Sequence, residues 1–205
     1  MIRNVIFDMG QVLIHFSPEL YIERLGISGE DREILLREVF RRVEWVQLDH
    51  GTITETEAVE SICRRVPPHL HQAVEELVFR WWDRPLNPVP GMKELVAEIK
   101  EAGCKIYLLS NANIQQIMYH DRIPGTEYFD GRIVSAECGL LKPQREIYQL
   151  LLDTYSLRAE ECLFIDDSPL NVEAAYCVGM QGIVFDDDVP RLRRELREAG
   201  VMVGD

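Results

Sequence analysis

Asp8 ends the apolar run in "VIFDMGQVL", and Ser110 and Asn111 follow the run "KIYLL". Asp166 and Asp167 close "CLFIDD", and Lys142 sits just before Pro143. Taken singly, an acid after a strand is a cap or turn residue, a Ser-Asn pair is a common turn, and a lysine is a solvated surface group. Taken together they suggest chemistry. Three carboxylates brought to one place raise each other's pKa unless a cation sits among them. Hard carboxylate oxygens with no cysteine or histidine beside them suit magnesium. A hydroxyl and an ammonium in the same crevice suit phosphate oxygens.

For these side chains to meet, the runs that carry them must lie side by side. The runs at 4–9, 105–110, 162–167 and 182–185 are nearly unbroken in hydrophobicity. That pattern predicts parallel strands covered on both faces. A weaker run, "RIVSA", lies at 132–136. Between the runs, helical periodicity predicts helices over 91–103, 143–155 and 168–179, with Ser168 as N-cap and Pro169 at the first helical position. A terminal amphipathic helix follows residue 186. Strand–helix alternation of this kind builds a doubly wound sheet, which binds ligands outside the carboxyl ends of its strands.

Residues 15–87 differ. They hold helical segments near 18–25, 30–43, 54–64 and 69–82 and no convincing strand, with Thr54 and Glu57 spaced as a capping box. "RPLNPVPG" at 84–91 has linker composition. The expected fold class is therefore α/β: a Rossmann-like doubly wound parallel sheet core (1–14 and 88–205) with a small all-helical cap (15–87) inserted after the first strand.

The 205 residues are 46% hydrophobic, with 22 Lys plus Arg against 35 Asp plus Glu and a net charge of -13. A surface this acidic is a poor partner for nucleic acid, which calls for basic charge. No apolar run approaches the roughly 20 residues of a membrane span, and no signal peptide precedes the first strand. Five cysteines without CxxC spacing read as reduced thiols, mostly core residues. The expectation is a cytoplasmic protein with no nucleic-acid or membrane partner; the oligomeric state is open.

Four motifs in order, "VIFDMGQVL", "YLLSNAN", "LLKP" and "LFIDDSPLNVEAA", together with "PVPGMKELVAEIKEAG" before the second, resemble the haloacid dehalogenase superfamily of hydrolases over nearly the whole chain. Within it, the chain looks most like the sugar-phosphatase branch that includes glucose-1-phosphate phosphatases, where an aspartate-x-glycine first motif also occurs. The resemblance implies that Asp8 is a nucleophile forming an aspartyl-phosphate. It implies that Ser110 and the backbone around Asn111 hold the phosphoryl group, and that Lys142 neutralises charge on it. Magnesium would be held by Asp8, the Gly10 carbonyl, Asp166 and Asp167, with Asn171 orienting that shell.

Most phosphatases of this family carry a second aspartate where Gly10 stands. Its carbonyl binds the metal and its side chain protonates the leaving oxygen. At Gly10 the carbonyl survives, while proton transfer, typically worth roughly 10²–10⁴-fold, is lost. Either another group supplies the proton or the leaving group hardly needs one. His15 is the nearest candidate in sequence, and Gln11 donates a hydrogen bond but not a proton. The expected function is a magnesium-dependent phosphomonoester hydrolase acting on a small phosphorylated metabolite, a sugar phosphate being one candidate, through an aspartyl-phosphate intermediate. A haloacid dehalogenase and a non-catalytic phosphometabolite- or protein-binding member are the alternatives.

Overall fold

The computed structural model describes residues 1–204. Five strands form one parallel sheet: β1 (Asn4–Phe7), β2 (Lys105–Ser110), β3 (Gly131–Val134), β4 (Cys162–Asp166) and β5 (Gln181–Val184), in the order β3-β2-β1-β4-β5. The unbroken hydrophobicity has a direct cause. Along β1, Val5 and Phe7 enter one apolar cluster while Ile6 enters the other, so both faces of the strand are buried. The same alternation holds in β2, with Ile106 and Leu108 on one side and Tyr107 and Leu109 on the other, and in β4.

Helices cover both faces. On the first lie α6 (Met92–Glu101), through Met92, Leu95, Val96 and Ile99, and α11 (Val189–Glu198), through Leu192 and Leu196. On the second lie α9 (Arg145–Tyr155) and α10 (Pro169–Cys177), through Ile147, Leu151, Val172 and Ala175. Two short helices, α7 (Gln116–Tyr119) and α8 (Ser135–Cys138), follow β2 and β3.

Between β1 and β2 the chain is helical: α1 (Pro18–Glu23), α2 (Gly29–Leu35) running on as a π-turn over Leu36–Phe40, α3 (Val43–His50), α4 (Glu55–Cys63) and α5 (His71–Phe79). The Thr54–Glu57 capping box forms as the spacing predicts. The helix α3 falls in a stretch where the sequence suggested none. Its apolar residues do not share one side: Leu48 is buried, whereas Val43 and Val46 are exposed. The insertion's buried side chains, Ile22, Leu36, Val39, Leu48, Ile62 and Leu77 among them, join the same apolar cluster as the first face of the sheet.

Two expectations need correcting. The helix α9 begins at Arg145 rather than at Pro143. All five cysteines are free, but only Cys104 and Cys162 are buried; Cys63 and Cys138 are half-buried and Cys177 is exposed. Among the described residues no helix is long and apolar enough to cross a membrane.

Candidate active site

Strand register brings the chemistry together. β1 lies between β2 and β4, with Phe7 level with Leu108 on one side and Ile165 on the other. Asp8 is the next residue, and its N–H donates to the Ile165 carbonyl at 2.9 Å. Asp8, one step past the end of β1, and Asp166, the last residue of β4, therefore emerge side by side at the carboxyl edge of the sheet.

Lys142 lies between them. Its Nζ is 2.7 Å from Asp8 Oδ1 and 2.6 Å from Asp166 Oδ2, with the lysine side chain only 1% exposed. Burial alone would lower the Lys142 pKa, but Asp8 and Asp166 together outweigh it and the net direction is upward. Burial pushes Asp8 up, the Lys142 ammonium pulls it down and Asp166 pushes it up again; the balance stands at about 6. Asp166 is the most tightly held of the acids. The Ser168 N–H donates to its Oδ1 at 2.8 Å, and Asn171 Nδ2 reaches both of its oxygens at 3.0 and 3.1 Å. Asp167 is more open; burial, then the Asp166 charge, raises its carboxyl.

One oxygen from each of Asp8, Asp166 and Asp167 lies within 4.8 Å of the others. Three carboxylates against one ammonium leave an excess of negative charge, and every donor is a hard oxygen. Such a set fits a hard divalent cation.

Ser110 is 1% exposed, and its Oγ has no hydrogen-bond partner among the described residues. A hydroxyl left bare inside a protein is costly unless a ligand completes it. Asn111 is differently employed. Its side chain grips the backbone of Lys142, and the next N–H, of Ala112, is spent on Ser135 Oγ at 2.9 Å.

Above these groups is a cavity of about 210 Å³ lined by Asp8, Gly10, Asn111, Asn113 and Asp167 from the sheet edge. The insertion and the hinge leading into it supply Phe16, Trp45, Asp49 and Trp81, and Tyr119 joins them from α7. Phe16 packs edge-on against Trp81 at 5.1 Å, and Trp81 packs against Tyr119 at 5.2 Å. Trp82 does not line the cavity; it stacks on Tyr119 from outside. A Cβ built on Gly10 would meet nothing within 4 Å.

His15 is not among the lining residues. Its Nε2 pairs with Asp187 Oδ1 at 2.8 Å. Gln11 lines the cavity, but its amide nitrogen is committed to the Phe16 carbonyl at 2.7 Å.

Asp49, near the end of α3, escaped the sequence reading. Burial, then the Asp8 charge, raises its carboxyl to about 7. A signal was present: an acid in the last turn of a helix, two residues before the stop at Gly51, opposes the helix dipole. Ser135 was also missed. Its Oγ donates to the Asp49 carbonyl and accepts from Ala112, joining the insertion to the loop after β2.

The chain is similar to known phosphatases in sequence and to a solved enzyme in fold. The chain is 28% identical over 193 residues, 91% of each chain, to a sesquiterpene phosphatase of Aspergillus oryzae. It is 27% identical over 181 residues to a phosphorylated carbohydrates phosphatase of Thermotoga maritima, covering 87% of this chain and 82% of that one. Its fold matches a haloacid dehalogenase-family enzyme of Bacteroides thetaiotaomicron solved with magnesium and inorganic phosphate. That match has a TM-score of 0.67 at 22% identity and covers 94% of this chain and 99% of the other. A family model for haloacid dehalogenase-like hydrolases matches residues 2–179, and the chain belongs to that family.

Proposed function

We propose that the protein is a divalent-metal-dependent phosphomonoesterase that works through a phosphorylated Asp8. The observation that carries this reading is Lys142 bridging Asp8 and Asp166 at the sheet edge where β2 ends on the unpartnered Ser110 hydroxyl. The lysine already serves one Asp8 oxygen, which leaves the other free to attack phosphorus. Ser110 and Lys142 supply a hydrogen-bond donor and a positive charge to the phosphoryl oxygens. Asn171 and the Ser168 N–H hold Asp166 in place, so the lysine cannot follow one acid without straining the other.

Asp8, the Gly10 carbonyl, Asp166 and Asp167 would hold the cation, with magnesium the natural choice for an all-oxygen set. Bound there, it would neutralise the excess carboxylate charge and the charge of the phosphate. The same acidic pair at the end of β4 favours phosphate chemistry over dehalogenation, which needs no metal.

The substrate is a small phosphorylated metabolite. The two phosphatases above, one named for a sesquiterpene and one for carbohydrates, bracket the choice. The walls of Phe16, Trp45, Trp81 and Tyr119 favour an alcohol with an apolar face, so isoprenoid phosphates are a second class beside sugar phosphates.

The test is phosphate release from a panel of sugar, isoprenoid and aryl phosphates with magnesium present. We expect turnover that disappears with chelator and in Asp8→Asn, and beryllium fluoride trapped on Asp8. Normal turnover by Asp8→Asn would overturn the covalent mechanism. No release from any ester would overturn the phosphatase reading.

A further inference from the structure

Gly10 leaves the site without an acid where the leaving oxygen departs, and the space a side chain would fill there is open. We propose that Asp49, carried in by the helical insertion, protonates the leaving oxygen in place of the missing side chain. The inference rests on the phosphatase reading above and adds a residue to it.

Three observations converge on Asp49. It lines the same cavity as Asp8 and Gly10. Its carboxylate has no hydrogen-bond or ion-pair partner among the described residues, although the insertion is rich in arginine–glutamate pairs. A half-buried, unpaired carboxylate costs stability, so structural need does not explain it. It sits in the last turn of α3, where the negative end of the helix dipole favours the neutral acid.

Its backbone is also fixed. Ser135 Oγ donates to the Asp49 carbonyl, His50 Nε2 pairs with the Gly139 carbonyl at 2.9 Å, and Gly51 lies against the Ala136 carbonyl. Because Ser135 also accepts from Ala112, the acid is registered to the loop that follows Ser110. Burial, reinforced by the Asp8 charge, holds the carboxyl near 7, so the protonated form is populated at neutral pH.

The other groups near the leaving oxygen are poorer donors. His15 faces Asp187, and Gln11 is committed to Phe16. Burial, with Asp49 next, pushes the Tyr119 phenol far up, making it a weaker acid than usual. Asp167 belongs to the cation's donor set.

The step balances. Asp8 attacks phosphorus and the bond to the leaving oxygen breaks. Its electron pair stays on that oxygen, which takes the proton of Asp49. The alcohol departs, leaving phosphorylated Asp8 and an ionised Asp49. Water then attacks phosphorus, Asp49 takes its proton, and Asp8 and inorganic phosphate are released.

Gly10 by itself predicts a steep dependence of rate on the acidity of the leaving alcohol. With Asp49 as donor, wild type should show a shallow one. The experiment measures kcat/KM for a series from 4-nitrophenyl phosphate through phenyl phosphate to primary alkyl phosphates. It compares wild type, Asp49→Asn and the double variant Asp49→Asn/Gly10→Asp, with Tm recorded for each.

Asp49→Asn should lose about 10²–10³-fold on alkyl phosphates and less than about tenfold on 4-nitrophenyl phosphate, steepening the series. The double variant should regain at least about tenfold on alkyl phosphates, as a restored proton donor would. Equal loss across the series would overturn the proposal by marking Asp49 as a binding or structural residue. A steep series in wild type would overturn it even if the variants fail to fold. Absence of turnover in wild type on every ester would instead remove the phosphatase reading, and this inference with it.

Discussion

Asn111 holds Lys142 by its backbone from both sides. The asparagine Nδ2 donates to the Lys142 carbonyl at 2.9 Å, and its Oδ1 accepts from the Lys142 N–H at 2.8 Å. Two loops from different strands are thereby locked together, and the ammonium that bridges Asp8 and Asp166 inherits its position from that lock.

Replacing Asn111 with alanine removes both bonds and leaves the lysine loop to drift. The expected cost is about 1–3 kcal/mol of stability. Displacement of the bridging ammonium by about 1 Å should lower kcat by about 10²-fold. Denaturant melts and steady-state kinetics read the two effects separately. A variant with wild-type kcat would show that Lys142 keeps its place by its ion pairs alone.

If the assembled acids hold magnesium as proposed, it should stabilise the fold, because the unfolded chain offers no such site. At ten times its dissociation constant the gain is about 1.4 kcal/mol, or about 3–6 °C in Tm for a chain of this size. Asp166→Asn should abolish most of that shift. A thermal melt of wild type with and without millimolar magnesium checks it, and coincident curves would count against the cation site.

Glu38, in the π-turn of the insertion, makes the acid side of the stability curve predictable. Burial alone would raise its pKa, but hydrogen bonds from Arg37, Arg42 and Arg65 win and hold it at about 2, against an ordinary 4.5. A depressed carboxyl contributes stability that is full above its unfolded pKa and is lost as pH falls toward its folded one. The window is therefore from about 4.5 down to about 2. Because the arginines are partly exposed, we expect Glu38→Gln to cost about 1–2 kcal/mol at neutral pH. Its melting curve should converge on wild type near pH 2. A constant gap between the two down to that pH would show that packing, not charge, sets the difference.

Gly51 ends α3 with φ +72°, and a Cβ there would stand 2.6 Å from the Ala136 carbonyl. Gly51→Ala should cost roughly 2 kcal/mol or more, combining left-handed backbone strain with a backbone clash. It should also lower turnover by pushing α3 off the sheet edge. Fluorescence of the insertion's tryptophans during denaturation reports the first effect. Unchanged stability would mean that α8 yields easily.

The sheet was legible because each central strand is buried on both faces, and unbroken apolar runs leave few other readings. The site acids were legible for a related reason: Asp8 and Asp166 interrupt or end those runs, and register does the rest. The helix α3 was not. Its apolar residues follow no single stripe, since it is held at its end by backbone contacts to α8 that periodicity does not record. Asp49 and Ser135 went unseen with it. Ser135 even falls inside the run "RIVSA", where strand β3 stops at Val134 and the serine opens a helix instead. His15 drew attention by nearness in sequence, while the acid that the structure brings into the cavity, Asp49, stands 41 residues after Asp8.

The walls of the cavity are also timber of the fold. Trp81 and Tyr119 belong to the main apolar cluster, and Phe16 and Trp45 pack against it. Truncating such a ring costs about 3–5 kcal/mol in a packed core, a large share of what a domain has to spare. Substrate preference in this protein is therefore hard to evolve one residue at a time. A lineage acquiring a bulkier or more polar substrate must first accumulate stabilising changes elsewhere, or exchange several rings together at constant volume. Directed evolution of this pocket should yield its new specificities from a thermostabilised parent and few from the natural one.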